Sequence, residues 1–269
     1  MKTISPEILR DALIGAGLRP GDLALMHSDA MVAAQFPPMS DERRLDLMIE
    51  TVLSVLGPQG TLVMPAFTYS FTKGEPFELR RTPSTVGMIT ERFRAWPEVS
   101  RTADPIFSFA IRGPLAPELC ALPTTECFGP ESVMAALHRL NCLILCVGCP
   151  LSRGGTFVHY VEKFHGVNYR YDKTFSGTIV WPDGRSTTNT VVYYVRDLAR
   201  KSGADLRRLQ ARLLSRGLMR ATAAGRGPIL GVRAGDFFRT ACEMLDEDPV
   251  SLIEEGAAIE EAASRSSAE

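Results

Sequence analysis

The chain has 269 residues, 45% hydrophobic and 23% charged, with six cysteines and a formal net charge of -1. That length buries a full core without staples, in one large domain or two small ones. The near-zero charge argues against a nucleic-acid footprint or a surface for anionic membranes. No apolar run approaches the ~18 residues of a membrane span, and the start at Met1–Pro6 lacks a signal-type apolar core.

Ser5 to Gly17 reads as a short helix, with Ser5 as N-cap, Pro6 at N1, and Ile8, Leu9, Leu13 and Ile14 as its stripe. Leu23–Met26 is a short buried strand that ends in His27, Ser28 and Asp29. Those side chains either face a ligand or satisfy local backbone groups. Asp41 to Leu56 is an amphipathic helix with Leu45, Met48, Ile49, Val52 and Leu56 inward. Thr61–Met64 is a second buried strand, ending in Pro65-Ala66-Phe67-Thr68. Helix, glycine turn, apolar strand and polar strand end recur, which predicts an α/β fold: a mostly parallel central sheet flanked by helices. Thr82 to Thr85 open a helix carrying Val86, Ile89 and Phe93. Gly87 lies in its first turns, where free N–H groups hold either a phosphate or water.

Arg101–Pro105 is a turn before the strand Ser108–Ile111. Helices follow near Pro117–Ala121 and Ser132–Leu140. The strand Leu143–Val147 then feeds a Gly/Pro/Ser/Arg loop and a helix opening near Thr156. His159 sits in the first turns of that helix, and Glu162 lies on the same face. Sites form beyond the carboxyl ends of strands in open α/β sheets, so His159 is a candidate base; the alternative is a histidine that fills a helix start. Gly177–Trp181 and Thr187–Val195 read as an added antiparallel hairpin with a type I′ turn at Asp183-Gly184. A basic helix at Leu206–Leu214, a strand at Ile229–Val232 and a helix at Ala234–Leu245 complete the pattern. The tail after Glu254 is expected to fray. With no repeat and no clean linker, residues 1–269 are expected to form a single domain.

Cys142, Cys146 and Cys149 lie in or beside an apolar run, with Cys120, Cys127 and Cys242 elsewhere. They read as buried thiols of a reducing compartment. Cys146-x-x-Cys149 has no second pair, so no metal is expected. A cytoplasmic protein without nucleic-acid or membrane partners follows as the expectation, and a homodimer is allowed.

Five segments in register resemble the aminoglycoside 3-N-acetyltransferase family, which is distinct from the GNAT acetyltransferases. They are Leu25–Ser28, Gly60–Thr68, Thr82–Gly87, Arg101–Ser108 and Gly155–Glu162, within about residues 20 to 240. The resemblance implies acetyl-CoA as co-substrate and an amine of an amino sugar as acceptor. It places the catalytic histidine and its acid at His159 and Glu162. It places cofactor contacts at His27, Ser28, Asp29, Phe67, Thr68, Ser84, Thr85, Val86, Gly87 and Ser108. Two departures stand out: Ser28-Asp29 replaces the usual Ser-Ser or Ser-Thr, and Asp104-Pro105 replaces His-Pro. The pattern looks like a divergent branch that includes enzymes acting on kasugamycin-like antibiotics at the 2′-amine, or on nucleotide-linked amino sugars.

An amine attacks a thioester only when unprotonated, and an imidazole with pKa near ~6.5 suits the proton transfer. Glu162 would orient that ring, while Thr68 or nearby backbone N–H groups would donate to the thioester oxygen. Transfer is expected to be direct; a covalent route through Cys146 or Cys149 is the competitor. The acceptor pocket is expected to draw on Asp104, Glu126, Glu162, Tyr169 and Asp172, because acidic and aromatic groups suit a cationic aminoglycoside. The alternative acceptor, a nucleotide-linked amino sugar of a biosynthetic route, would use Arg153 and Arg170 instead. A non-catalytic CoA or sugar binder is a third reading.

Overall fold

A computed structural model describes residues 3–254. Its first unit is helix α1 (Pro6–Gly15), capped by the Ser5 hydroxyl, followed by strand β1 (Leu23–Ser28) and a one-turn helix α2 (Ala30–Ala33). Helix α3 (Asp41–Leu56) comes next, with Ser40 as its cap, and leads into β2 (Thr61–Pro65). A 3-10 turn at Phe71–Lys73 and the two-residue strand β3 (Phe77–Glu78) precede α4 (Met88–Arg94). Then come β4 (Ser100–Arg101), β5 (Phe109–Arg112), α5 (Ala116–Cys120), α6 (Val133–Arg139) and β6 (Leu143–Val147). The remaining elements are α7 (Leu151–Gly154), α8 (Val158–His165), β7 (Arg170–Val180), β8 (Ser186–Arg196), α9 (Arg207–Ser215), β9 (Met219–Ala224), β10 (Gly227–Arg233) and α10 (Ala234–Glu247).

The central sheet has seven strands in the order β4-β5-β2-β1-β6-β10-β9. At its centre β1 pairs in parallel with both β2 and β6, while the outer pairs are antiparallel. Following those directions, all strands except β5 and β10 point the same way. The central strands are buried on both faces, as parallel strands generally are. Leu23 and Leu25 of β1 and Ile144 and Cys146 of β6 face one core. Ala24, Met26, Leu145 and Val147 face the other, which α1, α3 and α4 close. This period-2 alternation puts His27 on the Cys146 side of the sheet, where the two residues are paired in register.

Helices α6, α8 and α10 cover the face of Leu25, Ile144 and Cys146, and a separate three-stranded sheet, β3-β7-β8, lies beside them. Strands β7 and β8 form an eleven-residue pair from Arg170↔Arg196 to Val180↔Ser186, longer than the sequence pattern indicates. Their turn is not type I′. Gly184 N–H donates to Trp181 O, Trp181 N–H donates to Arg185 O, and only Gly184 has positive φ. Pro182 holds the second turn position near φ −65°, which type I′ forbids, so the link is a type I turn with a glycine bulge.

Helix α4 starts later than expected, at Met88, with Gly87 as N-cap at φ 123° and ψ 150°. It is tied to α3 by a bidentate pair from Arg92 to Asp46, both bonds 2.7 Å, and by Trp96 Nε1 to the same carboxylate at 2.8 Å. Among the described residues no helix is long and apolar enough to cross a membrane. The C-terminal stretch expected to fray lies outside the described residues.

Candidate active site

A cleft of about 390 Å³ opens beyond the carboxyl ends of β1 and β2. His27, Ser28 and Asp29 line it, with Phe67, Val86, Gly87, Cys149, Arg153 and Thr156. Asp29 caps α2 through Met31 N–H at 2.9 Å, and Arg153 Nη1 stands 3.7 Å from its other oxygen. Ser84 and Thr85 shape the rim behind this wall. Thr85 N–H and its hydroxyl both donate to Phe67 O, at 2.9 and 3.1 Å, and the Ser84 hydroxyl accepts from Val86 N–H. The loop 84–87 is thereby pinned to the end of β2. His27 is only 8% exposed, with Nε2 3.2 Å from the Thr156 hydroxyl. Burial pulls its pKa down to about 4, so the imidazole is neutral near pH 7.

His159 lies one helical turn beyond Thr156. Its Nδ1 is 2.8 Å from Glu162 Oε2, the geometry that an i,i+3 pair on one helix face allows. The Glu162 side chain has no exposure, whereas that of His159 keeps 17%. Arg170, at the root of β7, brings Nε to 2.6 Å from the same Oε2 in an ion pair without a formed hydrogen bond, and its Nη1 donates to Tyr194 O at 3.3 Å. Oε1 has no hydrogen-bond partner among the described residues. With Nδ1 engaged by the carboxylate, Nε2 is the nitrogen that accepts a proton. The His159 pKa is lowered, chiefly by burial and then by the Arg170 charge; Glu162 opposes this, and Arg196 adds to it. A neutral ring at physiological pH is the state a base requires.

Aromatic rings fill the space between cleft and histidine. Phe107 packs against Phe67 at 4.8 Å and Phe128 at 4.7 Å between centroids, and Phe128 stands edge-on to His159 at 5.7 Å. Tyr69 and Tyr193 join this cluster, each against Phe107. Burial raises both phenols, that of Tyr69 to about 12, so both remain hydrogen-bond donors.

Several expected site residues have other work. Thr68 is buried; its hydroxyl donates to Pro105 O at 2.8 Å and its N–H to Ile106 O at 3.1 Å. The N–H groups of Tyr69 and Ser70 are likewise turned to Ile106 O and Pro105 O. None of these is left to donate to a thioester oxygen. Ser108 is fully buried, with its hydroxyl donating to Ala66 O and accepting from Arg101 Nε, so it does not line the cleft. Asp104 turns inward: Oδ1 accepts from Ile106 and Phe107 N–H, both at 2.8 Å, and lies 3.8 Å from Cys127 Sγ. That is the Asx-type local use of an aspartate before a turn, not a group presented to an acceptor.

Tyr169 is buried beside Glu162, whose charge, after burial, raises its phenol. Asp172 is exposed, held at 2.5–2.6 Å by Lys163. Glu126 is half-buried, one residue from Cys127 and two from Phe128, on a segment bridged to Val192 of β8. Of the acidic acceptor residues expected from sequence, it alone combines partial exposure with a place beside the aromatic cluster. Arg170, offered as a contact for an anionic acceptor, is consumed by Glu162. Arg153 remains largely exposed.

Sequence reasoning missed Tyr69, Phe128, Tyr193 and the structural use of Arg170. Only the aromatic alternation along Val191–Val195 carried a usable signal, because period 2 there puts Tyr193 on the face opposite Tyr194. Among the described residues no group of three or more His, Cys, Asp or Glu side chains is arranged to hold a metal ion.

A family model described as aminoglycoside 3-N-acetyltransferase matches residues 25–246. The chain is 34% identical over 160 residues to aminoglycoside N(3)-acetyltransferase IV of Salmonella sp. That match spans 58% of this chain and 58% of the Salmonella protein, less than two thirds of either. The solved apoenzyme of aminoglycoside acetyltransferase AAC(3)-IVa aligns with a TM-score of 0.74 at 25% identity, over 95% of this chain and 93% of that one. A histidine-to-alanine variant of AAC(3)-IVa, solved in complex with apramycin, aligns with the same TM-score and identity over 93% and 96%.

Proposed function

The chain belongs to the aminoglycoside 3-N-acetyltransferase family, and from that premise we propose that it moves the acetyl group of acetyl-CoA directly onto an amine of an aminoglycoside, with His159 as general base. The observation that carries the reading is the His159 Nδ1–Glu162 Oε2 contact of 2.8 Å on the helix that follows the central strand β6. Its chemistry runs in one direction. Glu162 accepts from Nδ1, Nε2 takes the amine proton, and the carboxylate stabilises the imidazolium that results. The free amine attacks the thioester carbonyl carbon, the C–S bond breaks, and the second proton, shed by the attacking nitrogen as the amide forms, passes to the CoA sulfur, so that CoA leaves as the thiol.

The cleft walled by His27, Ser28, Asp29, Phe67, Val86 and Gly87 is assigned to the donor. The acceptor is assigned to the side where His159 is open, near Glu126 and Tyr193. Hydroxyl and carboxylate groups against aromatic faces suit a polyhydroxylated cation. The apramycin complex of the related AAC(3)-IVa variant supports an aminoglycoside as the acceptor class. An anionic nucleotide-sugar acceptor keeps only one of its two candidate cations, the exposed Arg153, because Arg170 is already neutralised by Glu162. The direct route is preferred to an acetyl-cysteine because Cys146 is buried and Cys149, though it borders the cleft, is 4% exposed, too little for attack on a thioester as bulky as acetyl-CoA.

The test is a thiol-release assay with acetyl-CoA over a panel including apramycin, gentamicin, kasugamycin and a nucleotide-linked amino sugar, with NMR of the product. Acetylation of an aminoglycoside amine is expected. Turnover of the nucleotide sugar alone, or an acetyl-enzyme trapped without acceptor, would overturn the reading.

A further inference from the structure

The proposed transfer uses neither Cys146 nor Cys149, yet their sulfurs converge at the cleft. Cys146 stands near the end of β6, paired in register with His27. Cys149 follows the Gly148 turn and lines the cleft beside Asp29 and Arg153. Helix α7 lays Gly154 against both sulfurs. A Cβ there would sit 2.6 Å from Cys146 Sγ and 3.4 Å from Cys149 Sγ, so the missing side chain is what admits the pair. The neighbouring Cys146 thiol lowers the Cys149 pKa; Arg153 acts in the same sense, and burial and Asp29 oppose it. The other thiols lack this support. Burial raises Cys120 and Cys242 to about 11 and Cys142 to about 12, and Cys127 is raised by burial and by Asp104.

We infer that Cys149 and Cys146 form a modification site for small hydroperoxides at the wall of the cleft, with Cys149 as the attacking thiol and Cys146 as the resolving one. The Cys149 thiolate attacks a peroxide oxygen; the O–O bond breaks, leaving a sulfenic acid and hydroxide. The Cys146 sulfur then attacks the Cys149 sulfur; the S–O bond breaks, the disulfide forms, and water departs with the thiol proton. Two thiols are oxidised and one peroxide is reduced to water. The bond draws Cys149 off the cleft wall toward β6, and with it the Gly148–Pro150 turn that leads into α7 and Arg153. Closure toward acetyl-CoA rests on the donor assignment above; the thiol chemistry does not.

The experiment treats the full chain with hydrogen peroxide, alkylates the remaining thiols and maps the tryptic peptide Leu140–Arg153. The expected product carries one alkylated cysteine, Cys142, and is lighter by two hydrogens through a Cys146–Cys149 bond that dithiothreitol reverses. Cys120 and Cys242 remain alkylatable at that peroxide dose. Calorimetry with acetyl-CoA is expected to show affinity lost several-fold on oxidation and regained on reduction. In Cys146→Ala the disulfide is absent and dimedone labels Cys149. Oxidation of Cys120 or Cys242 with Cys149 still reduced, or no dimedone adduct in that variant, overturns the site. A disulfide that leaves acetyl-CoA affinity unchanged overturns the closure. Untreated protein that binds no acetyl-CoA removes the donor assignment and leaves the peptide map to decide the thiols.

Discussion

Arg170 and Glu162 form a buried ion pair at 2.6 Å, on the same carboxylate oxygen that accepts from His159. The acid that orients the imidazole is therefore held from behind by a strand of the second sheet. Breaking such a pair from one side leaves an uncompensated charge and typically costs about 3–5 kcal/mol. Arg170→Met is expected to lose stability on that scale in urea titration. Losing the cation that lowers the His159 pKa moves the acid limb of kcat/KM to higher pH, while Arg170→Lys keeps the limb near its original place. The groups acting on His159 are Glu162, Arg170 and Arg196, against a background of burial. An unmoved limb in folded Arg170→Met would show that Arg170 has only a structural role.

His159→Gln removes the proposed proton acceptor and leaves the cleft at the ends of β1 and β2 intact. General-base help is worth roughly 10²–10⁴-fold, so kcat should fall by about that factor. Acetyl-CoA affinity, read by calorimetry, should stay within about twofold, since uniform binding and catalysis separate in this way. Near-native kcat in the variant would remove His159 from the chemistry.

Stability should depend on pH through His27. Its folded pKa of about 4 lies below its ordinary 6.5. Between those values the unfolded chain binds a proton that the folded chain refuses. Stability is thus full above the ordinary value and falls as the pH drops toward the folded one. The difference is worth roughly 3 kcal/mol. His159, also lowered, adds to the fall in the same direction. His27→Gln should flatten the curve of unfolding free energy against pH between 6.5 and 4. Parallel curves for the two proteins would contradict the neutral, buried imidazole.

Gly87 holds φ 123° and ψ 150°, a region essentially closed to other residues. Nothing lies within 4 Å of where its Cβ would stand. Gly87→Ala therefore strains the backbone without a clash, at a cost of about 1–3 kcal/mol. A Tm lowered by several degrees and a raised KM for acetyl-CoA are expected, because the loop is part of the cleft wall. An unchanged Tm with an unchanged KM would mean the loop relaxes freely.

Much of the scaffold was legible because it is periodic. The capped helices α1 and α3 and the buried strands β1, β2 and β6 carry their signals within a few residues. Strands β3 and β4 have two residues each and show no alternation to read. The hairpin was foreshortened because Asp172, Lys173 and Thr174 are exposed and polar, which looks like loop. Pro182 was the clue that its turn is type I. In the site, His159 and Glu162 were readable as an i,i+3 pair. Thr68, Asp104 and Ser108 were not, since a polar group at a strand end has the same spacing whether it meets a ligand or a carbonyl. The roles of Arg170 and Tyr169 are set by a strand that arrives from another sheet, which no local pattern encodes.

The rings of Phe67, Phe107 and Phe128 form an oily barrier on one side of His159, and Glu162 and Arg170 seal another. The rings carry no hydrogen-bonding group to pass a proton, and on the other side Glu162 meets Nδ1, not Nε2. Under the proposed transfer, a proton captured at Nε2 would therefore exit through the ring's own wetted edge, once the acylated product has drifted clear of it.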